Sequence, residues 1–400
     1  DAVITNKWLA FPIFFFLLYV MFQSTFTLGA YPMQWIEWCV EKFGAFVATT
    51  MNEGWLKDLV VDGIIGGVGS VLVFLPNILI LYMFISLLED SGYMARAAFI
   101  MDRLMHKIGL HGKSFIPMIM GFGCNVPAIM ATRTIESRKS RLITMLIIPL
   151  MSCAGRMPVY VLIAGAFFPK NAGLVVLGLY ALGIVLAVAA AKVMSMFFKE
   201  DDLPFVMELP PYRVPTAKSI FRHTWEKGRQ YLQKMSGVIL ICSLVIWFLG
   251  YFPNHDAYDS VEQQQEHSFI GYVGKAMEPV LEPLGFDWRM GVGIVAGVGA
   301  KELVVSTLGV MYADDDNAEV ATEEPSGDTR LQRALVRSVS PAGALAYMVF
   351  ILLYFPCIAT FIAIKNESGG WKWAIMTAVY TIILAWVAAF ITFRVASLLL

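Results

Sequence analysis

Apolar positions along the chain come in long blocks. Residues 8–28, 172–198, 235–252 and 371–393 are runs of about 18–27 residues with very few charges. A bilayer core takes about 20 apolar residues in helical form, so each block predicts a membrane span. Four further apolar segments, 62–88, 142–168, 290–312 and 341–364, carry interruptions. Between the blocks the pattern turns polar. Residues 31–58 alternate aromatic and polar side chains, which predicts an amphipathic helix lying in the interface. Residues 199–234 read as a charged connector containing the amphipathic stretch "AKSIFRHTWEKGRQYLQK", 253–288 as a polar, acidic-leaning loop and 313–337 as a mobile loop. The expected fold is an all-α polytopic membrane protein with broken or re-entrant helices, since lipid offers no partner to free backbone groups.

Composition agrees. Of 400 residues 58% are hydrophobic and 15% charged, against about 25% charged in soluble domains. A net charge of −1 carries no signal for nucleic acid, and none is expected as a partner. The five cysteines (Cys39, Cys124, Cys153, Cys242, Cys357) form no CxxC pair, which excludes a zinc ribbon or a thioredoxin motif. The first residue is Asp1 and no signal peptide is visible, so the chain reads as the membrane portion of something longer. Lys and Arg concentrate at 96–113, 133–141 and 213–234. The positive-inside rule then places 89–114, 133–141 and 199–234 in the cytoplasm. Both 89–114 and 133–141 can be inside only if 115–132 enters and leaves on one side, as a re-entrant hairpin.

The chain repeats itself. Gly63–Tyr82 aligns without gaps on Gly293–Tyr312, sharing G-I-x-x-G-V-G and a tyrosine at the end. Later in each half, "GCNVPAIMA" meets "FPCIATFIA", a cysteine beside a proline opening a small-residue helix. Repeated halves with interrupted helices in matching positions point to a transport site near the midplane. The expected organisation is 1–58 as first span plus interfacial helix, 59–168 as first repeat, 169–289 as linking helices and loops, and 290–400 as second repeat.

Four broken elements are predicted: Gly66–Pro76 (with Gly67 and Gly69), Gly121–Pro127 (with Gly123), Ser152–Pro158 and Pro356–Thr360. A break frees amides and carbonyls. Three of the breaks hold a cysteine: Cys124 beside Asn125, Cys153 beside Ser152, and Cys357 near Thr360. Thiols with carbonyls, hydroxyls and an amide suit Fe(II), Zn or Cu(I) better than Mg or Ca. Met130 flanks one break and adds a thioether. Glu302, at membrane depth after Gly297 and Gly299, is the best acidic candidate. Lys301 stands beside it as a partner or a snorkelling side chain, and Arg156 as a partner for one of the acids. Cys39 and Cys242 read as packing. No histidine falls in a membrane segment. "GLHGKS" lacks the earlier glycine of a phosphate-binding loop, and no nucleophile–base pair or catalytic metal motif marks an enzyme.

"SGYMARAAFIMDRLMHKIGLHGKSFIPMIMGFGCNVPAIMATRTI", "RLITMLIIPLMSCAGRMPVYV", "GAKELVVSTLGVMY" and "YFPCIATFIAI" together resemble the FeoB family of ferrous-iron transporters over roughly 60–395. The glycine-rich elements resemble that family's paired Gate regions. The resemblance implies Fe(II) as the transported ion, a bacterial inner-membrane location with a cytoplasmic N-terminus, and an upstream G domain using GTP and Mg. It implies the lipid bilayer and that G domain as partners, and leaves small accessory Feo proteins and a homo-oligomer open. The family's membrane cysteines fall on Cys124, Cys153 and Cys357. Alternative readings are a Mn or Zn transporter, or a membrane metal sensor that does not conduct.

Overall fold

A computed structural model describes residues 10–52, 54–198, 215–253, 261–312 and 327–399. All regular elements among these residues are helical. The stretches 199–214 and 313–326 of the expected connector and mobile loop lie outside the described residues.

Among the described residues, four helical stretches are long and apolar enough to cross a membrane: 138–167, 172–197, 341–368 and 371–398. They fall into two kinds. The stretches 172–197 and 371–398 are unbroken, with only 22% and 33% of their most apolar window buried. The stretches 138–167 and 341–368 are interrupted and 67% and 72% buried. Lipid cannot satisfy a broken backbone, so broken spans are covered by protein and unbroken ones face outward.

The chain divides into two units. The first takes Asp1–Ile148 and Ala187–Leu244, and the second Pro149–Leu186 and Val245–Leu400.

In the first unit, the expected span at 8–28 and the expected interfacial helix are one element, Ala10–Thr50. Forty-one residues extend about 60 Å, well beyond a bilayer core. Its second half exposes Tyr31, Trp35, Trp38, Phe43 and Phe46, the aromatic pattern read from the sequence, but without a break before it. The helix packs along Gly66–Asp90, and a Cβ on Gly69 would strike the Val40 side chain. The predicted break at Gly66–Pro76 is absent: Gly66, Gly67, Gly69 and Pro76 all lie within the Gly66–Asp90 helix, after a π-helical turn at Leu59–Ile65. Gly69 is a close-packing position, which a sequence pattern does not distinguish from a hinge. The chain then turns by 82° into Tyr93–Lys107, through Gly92 at φ 80°, which favours glycine.

In the second unit, Pro341–Leu353 is buried on every face, as an all-apolar central helix must be. Ser340 caps it by accepting from Gly343 N, with Pro341 opening the first turn. It packs against Trp371–Leu399 and Met157–Phe167. Two expected loops hold helices instead: Phe269–Leu281 within 253–288, and Gly327–Ser338, which begins within 313–337 and ends one residue past it. The expected connector helix, most of which belongs to the first unit, begins at Ala217 and runs unbroken through the 235–252 span to Tyr251.

Candidate ion pathway

In the first unit, the stretch 115–131 forms two short helices, Phe115–Gly123 and Asn125–Ala131. Nine and seven residues rise about 14 and 10 Å, so neither crosses a bilayer. The break between them is a single residue, Cys124, in extended conformation at φ −151° and ψ 131°. Gly121 and Gly123 do not make the turn: both belong to the preceding helix, and any residue adopts the Cys124 conformation. Gly123 is needed for space, since a Cβ there would meet the Leu81 side chain. Pro127 sits in the first turn of the second helix, where a missing N–H costs nothing. Asn125 is 4% exposed, and its Oδ1 has no hydrogen-bond partner, a buried oxygen whose desolvation is uncompensated.

A cavity of about 790 Å³ opens beside this break. Tyr82, Met120, Pro127 and Met130 line it, and Glu89 and Arg133 bring charge to the lining. Tyr82 is buried and within electrostatic reach of Cys124. Lys113 and Glu136 flank the hairpin in sequence and join at 2.7 Å. The hydrogen bond from Lys113, and then its charge, hold the exposed Glu136 carboxyl below the usual carboxylate range. Asp90 accepts from Ser219 Oγ at 3.1 Å and lies 3.5 Å from His223 Nδ1.

In the second unit, three interruptions converge. Cys153 precedes a short 3-10 turn at Ala154–Arg156, and Cys357 is the N-cap of Ile358–Ser368. Ala300, extended at φ −144°, ends Trp288–Gly299 and separates it from Leu303–Met311. Gly297 and Gly299 thus stand just before a break that was not among the four expected from the sequence. The matched glycines of the first unit, Gly67 and Gly69, stand inside a continuous helix, so the aligned segments differ in structure. Pro356 lies in the non-helical step before Cys357.

Both thiols are half-buried, and the charges of Arg156, Lys301 and Glu302 all act on Cys153. Cys357 Sγ lies 3.0 Å from the buried Thr360 Oγ1. Ser152 is buried, its Oγ 3.4 Å from the Tyr160 hydroxyl. Glu302 is half-buried and lies over Gly155 so closely that a Cβ there would collide with its carboxylate. The two cations do not behave as the sequence suggested. Arg156, fully buried, pairs with no acid among the described residues: it donates to Met151 O at 2.9 Å and Pro149 O at 3.1 Å. Lys301, 3% exposed, does not snorkel: it donates to Phe355 O at 2.7 Å, over the Tyr354 ring.

Cys153, Cys357, Ser152, Thr360 and Glu302 therefore belong to one unit, and Cys124, Asn125 and Met130 to the other. Among the described residues no three His, Cys, Asp or Glu converge as a metal cage. Cys39 is exposed, contrary to its reading as packing; the Cys242 side chain lies outside the described residues. Tyr82 was missed because a tyrosine closing an apolar run carries no local signal of chemistry.

The family model described as nucleoside recognition (Gate) matches residues 71–167 and 232–371, more than half of the chain. The model described as ferrous iron transport protein B C terminus matches 176–227. The chain is 54% identical, over its whole length, to a Porphyromonas gingivalis protein named as a fusion of Fe(2+) transport protein A and Fe(2+) transporter FeoB, covering 51% of that protein. It is 41% identical to the Campylobacter jejuni Fe(2+) transporter FeoB and 43% to that of Staphylococcus aureus, again over the whole chain and 65% and 59% of those proteins. The chain thus spans about half to two thirds of the curated relatives it matches. No solved structure matches it. An all-helical chain with interrupted, protein-covered spans, matched by the Gate model over most of its length and by the FeoB C-terminal model between the two matches, belongs to the FeoB family.

Proposed function

We propose that this chain forms the membrane passage of a protein that carries Fe(II) across the bacterial inner membrane into the cytoplasm. The observation that carries this reading is the placement of the three membrane cysteines. Cys124, Cys153 and Cys357 each occupy the non-helical residue from which a new helical turn starts. A thiol there meets an ion at membrane depth without closing a four-ligand cage, which would trap it. Fe(II) is borderline-soft and accepts such donors. Cys124 with the Asn125 oxygen forms one station, and Cys153 and Cys357 with Glu302, Ser152 and Thr360 another. Met130 and the cavity beside Cys124 lie along the route on the side of the basic segments, which the positive-inside rule assigns to the cytoplasm. The chain is multi-pass with its N-terminus cytoplasmic. In the longer protein, an upstream G domain that binds GTP with Mg biases the gate. The boundaries 59–168 and 290–400 remain our division into repeats.

Uptake of radioactive iron(II) into proteoliposomes holding the full-length protein tests this. Uptake by the wild type, reduced at least tenfold by Cys124→Ser, is expected. Unchanged uptake by Cys124→Ser would sink the site, and iron binding without flux would favour a sensor.

A further inference from the structure

Carbonyls released by a broken membrane helix are the natural ligands of a hard cation. In the second unit, three carbonyls at the breaks are already taken, each by a cation of the protein itself. Arg156 holds Pro149 O and Met151 O, and Lys301 holds Phe355 O. Both cations are buried, and neither is spent on a salt bridge to Glu302. They share one electrostatic neighbourhood with Cys153, Cys357 and Glu302. Burying a charge costs several kcal/mol even when it is hydrogen-bonded, and a neutral donor would serve if the carbonyls needed only a partner.

We propose that Arg156 and Lys301 are specificity-determining residues, tethered cations that occupy the hard-oxygen positions of the breaks. This rests on the reading that Fe(II) passes Cys153 and Cys357. An ion arriving there meets the Cys153 and Cys357 thiols in the electrostatic reach of Glu302, but not the carbonyls of Pro149, Met151 and Phe355. Mg(II), Ca(II) and Mn(II) draw their binding from oxygen donors, whereas Fe(II) gains from sulfur. The fixed positive charge of Arg156 also repels, in a low dielectric, any cation that does not engage the thiols. The site is thereby closed to hard cations without being made tight for iron.

The test is binding of Mn(II) to the full-length, nucleotide-free protein in detergent, followed by the loss of the free-ion paramagnetic resonance signal. Lys301→Met keeps the length of the side chain and releases Phe355 O. It is expected to bind one more Mn(II) per chain than the wild type, at least tenfold tighter than any wild-type binding to this unit, with Ca(II) competing. Adding Glu302→Gln should abolish that extra ion, and Lys301→Arg should behave as wild type. Equal Mn(II) binding by the wild type and Lys301→Met overturns the proposal. If Lys301→Met does not fold, Arg156→Lys carries the same comparison. It keeps the charge but gives up one of two carbonyls, and a several-fold gain is expected; no gain overturns the proposal. The readout does not depend on iron flux. A wild type that carries no Fe(II), beside a variant that gains Mn(II), sinks the transport reading alone.

Discussion

Lys301 Nζ donates to the carbonyl oxygen of Phe355, 54 residues away in the chain and 2.7 Å away in space. One bond ties the break after Gly299 to the break before Cys357, so two interruptions of the second unit act as one structure. Removing the donor leaves a buried carbonyl unpaired, which costs about 1–3 kcal/mol. Lys301→Met is expected to lower the midpoint of denaturant unfolding in detergent by that amount. Lys301→Arg, which still reaches a carbonyl, should lower it less. An unchanged midpoint for Lys301→Met would show that the bond carries no stability.

Glu302 depends on Gly155. The carboxylate occupies the space that a side chain at 155 would fill, so Gly155→Ala should displace it and reduce iron uptake at least fivefold. Gly173→Ala is the control, because nothing lies within 4 Å of a Cβ at that helical position. There uptake should hold, and stability should rise by up to about 1 kcal/mol from helix propensity.

Gly123 makes room for Leu81. Gly123→Ala should destabilise by about 1–3 kcal/mol through overpacking, and the same substitution should cost less in a Leu81→Ala background, where the partner is trimmed. Additive effects in the double variant would rule out the contact as the cause.

What was legible in the sequence follows from these contacts. The three cysteine-bearing breaks could be read because proline and glycine beside a polar residue are local signals in an apolar run. The stretch Gly66–Pro76 carried the same local signal and proved a continuous helix. There Gly69 serves the approach of Ala10–Thr50, a relation that only packing reveals. The partners of Arg156 and Lys301 were misassigned for a similar reason. Sequence suggests carboxylates for buried cations, yet the carbonyls that the breaks release lie nearer. The all-helical architecture was legible throughout, since twenty-residue apolar blocks admit few alternatives.

The clasp between Lys113 and Glu136 should respond to pH in one direction. The Glu136 carboxyl is held below its ordinary range by Lys113, so the unfolded chain binds its proton more readily than the folded one. The stabilisation is then present above the unfolded carboxyl value of about 4.3 and is lost as pH falls through the lower folded value. Thermal stability of the wild type should exceed that of Glu136→Gln at neutral pH, and the two should converge in acid. High salt should shrink the difference, because the pair is exposed. A difference that grows in acid would contradict the assignment.

The most direct measurement is a structure of the full-length protein soaked with Fe(II) under reducing conditions, with anomalous scattering recorded at the iron edge. Anomalous density is expected beside Cys124, and beside Cys153 and Cys357 where Glu302 lies close, and it should vanish from the first station in Cys124→Ser. Iron found only at surface carboxylates, with the three cysteines bare in a protein that still carries Fe(II), would contradict the passage of iron through the broken helices.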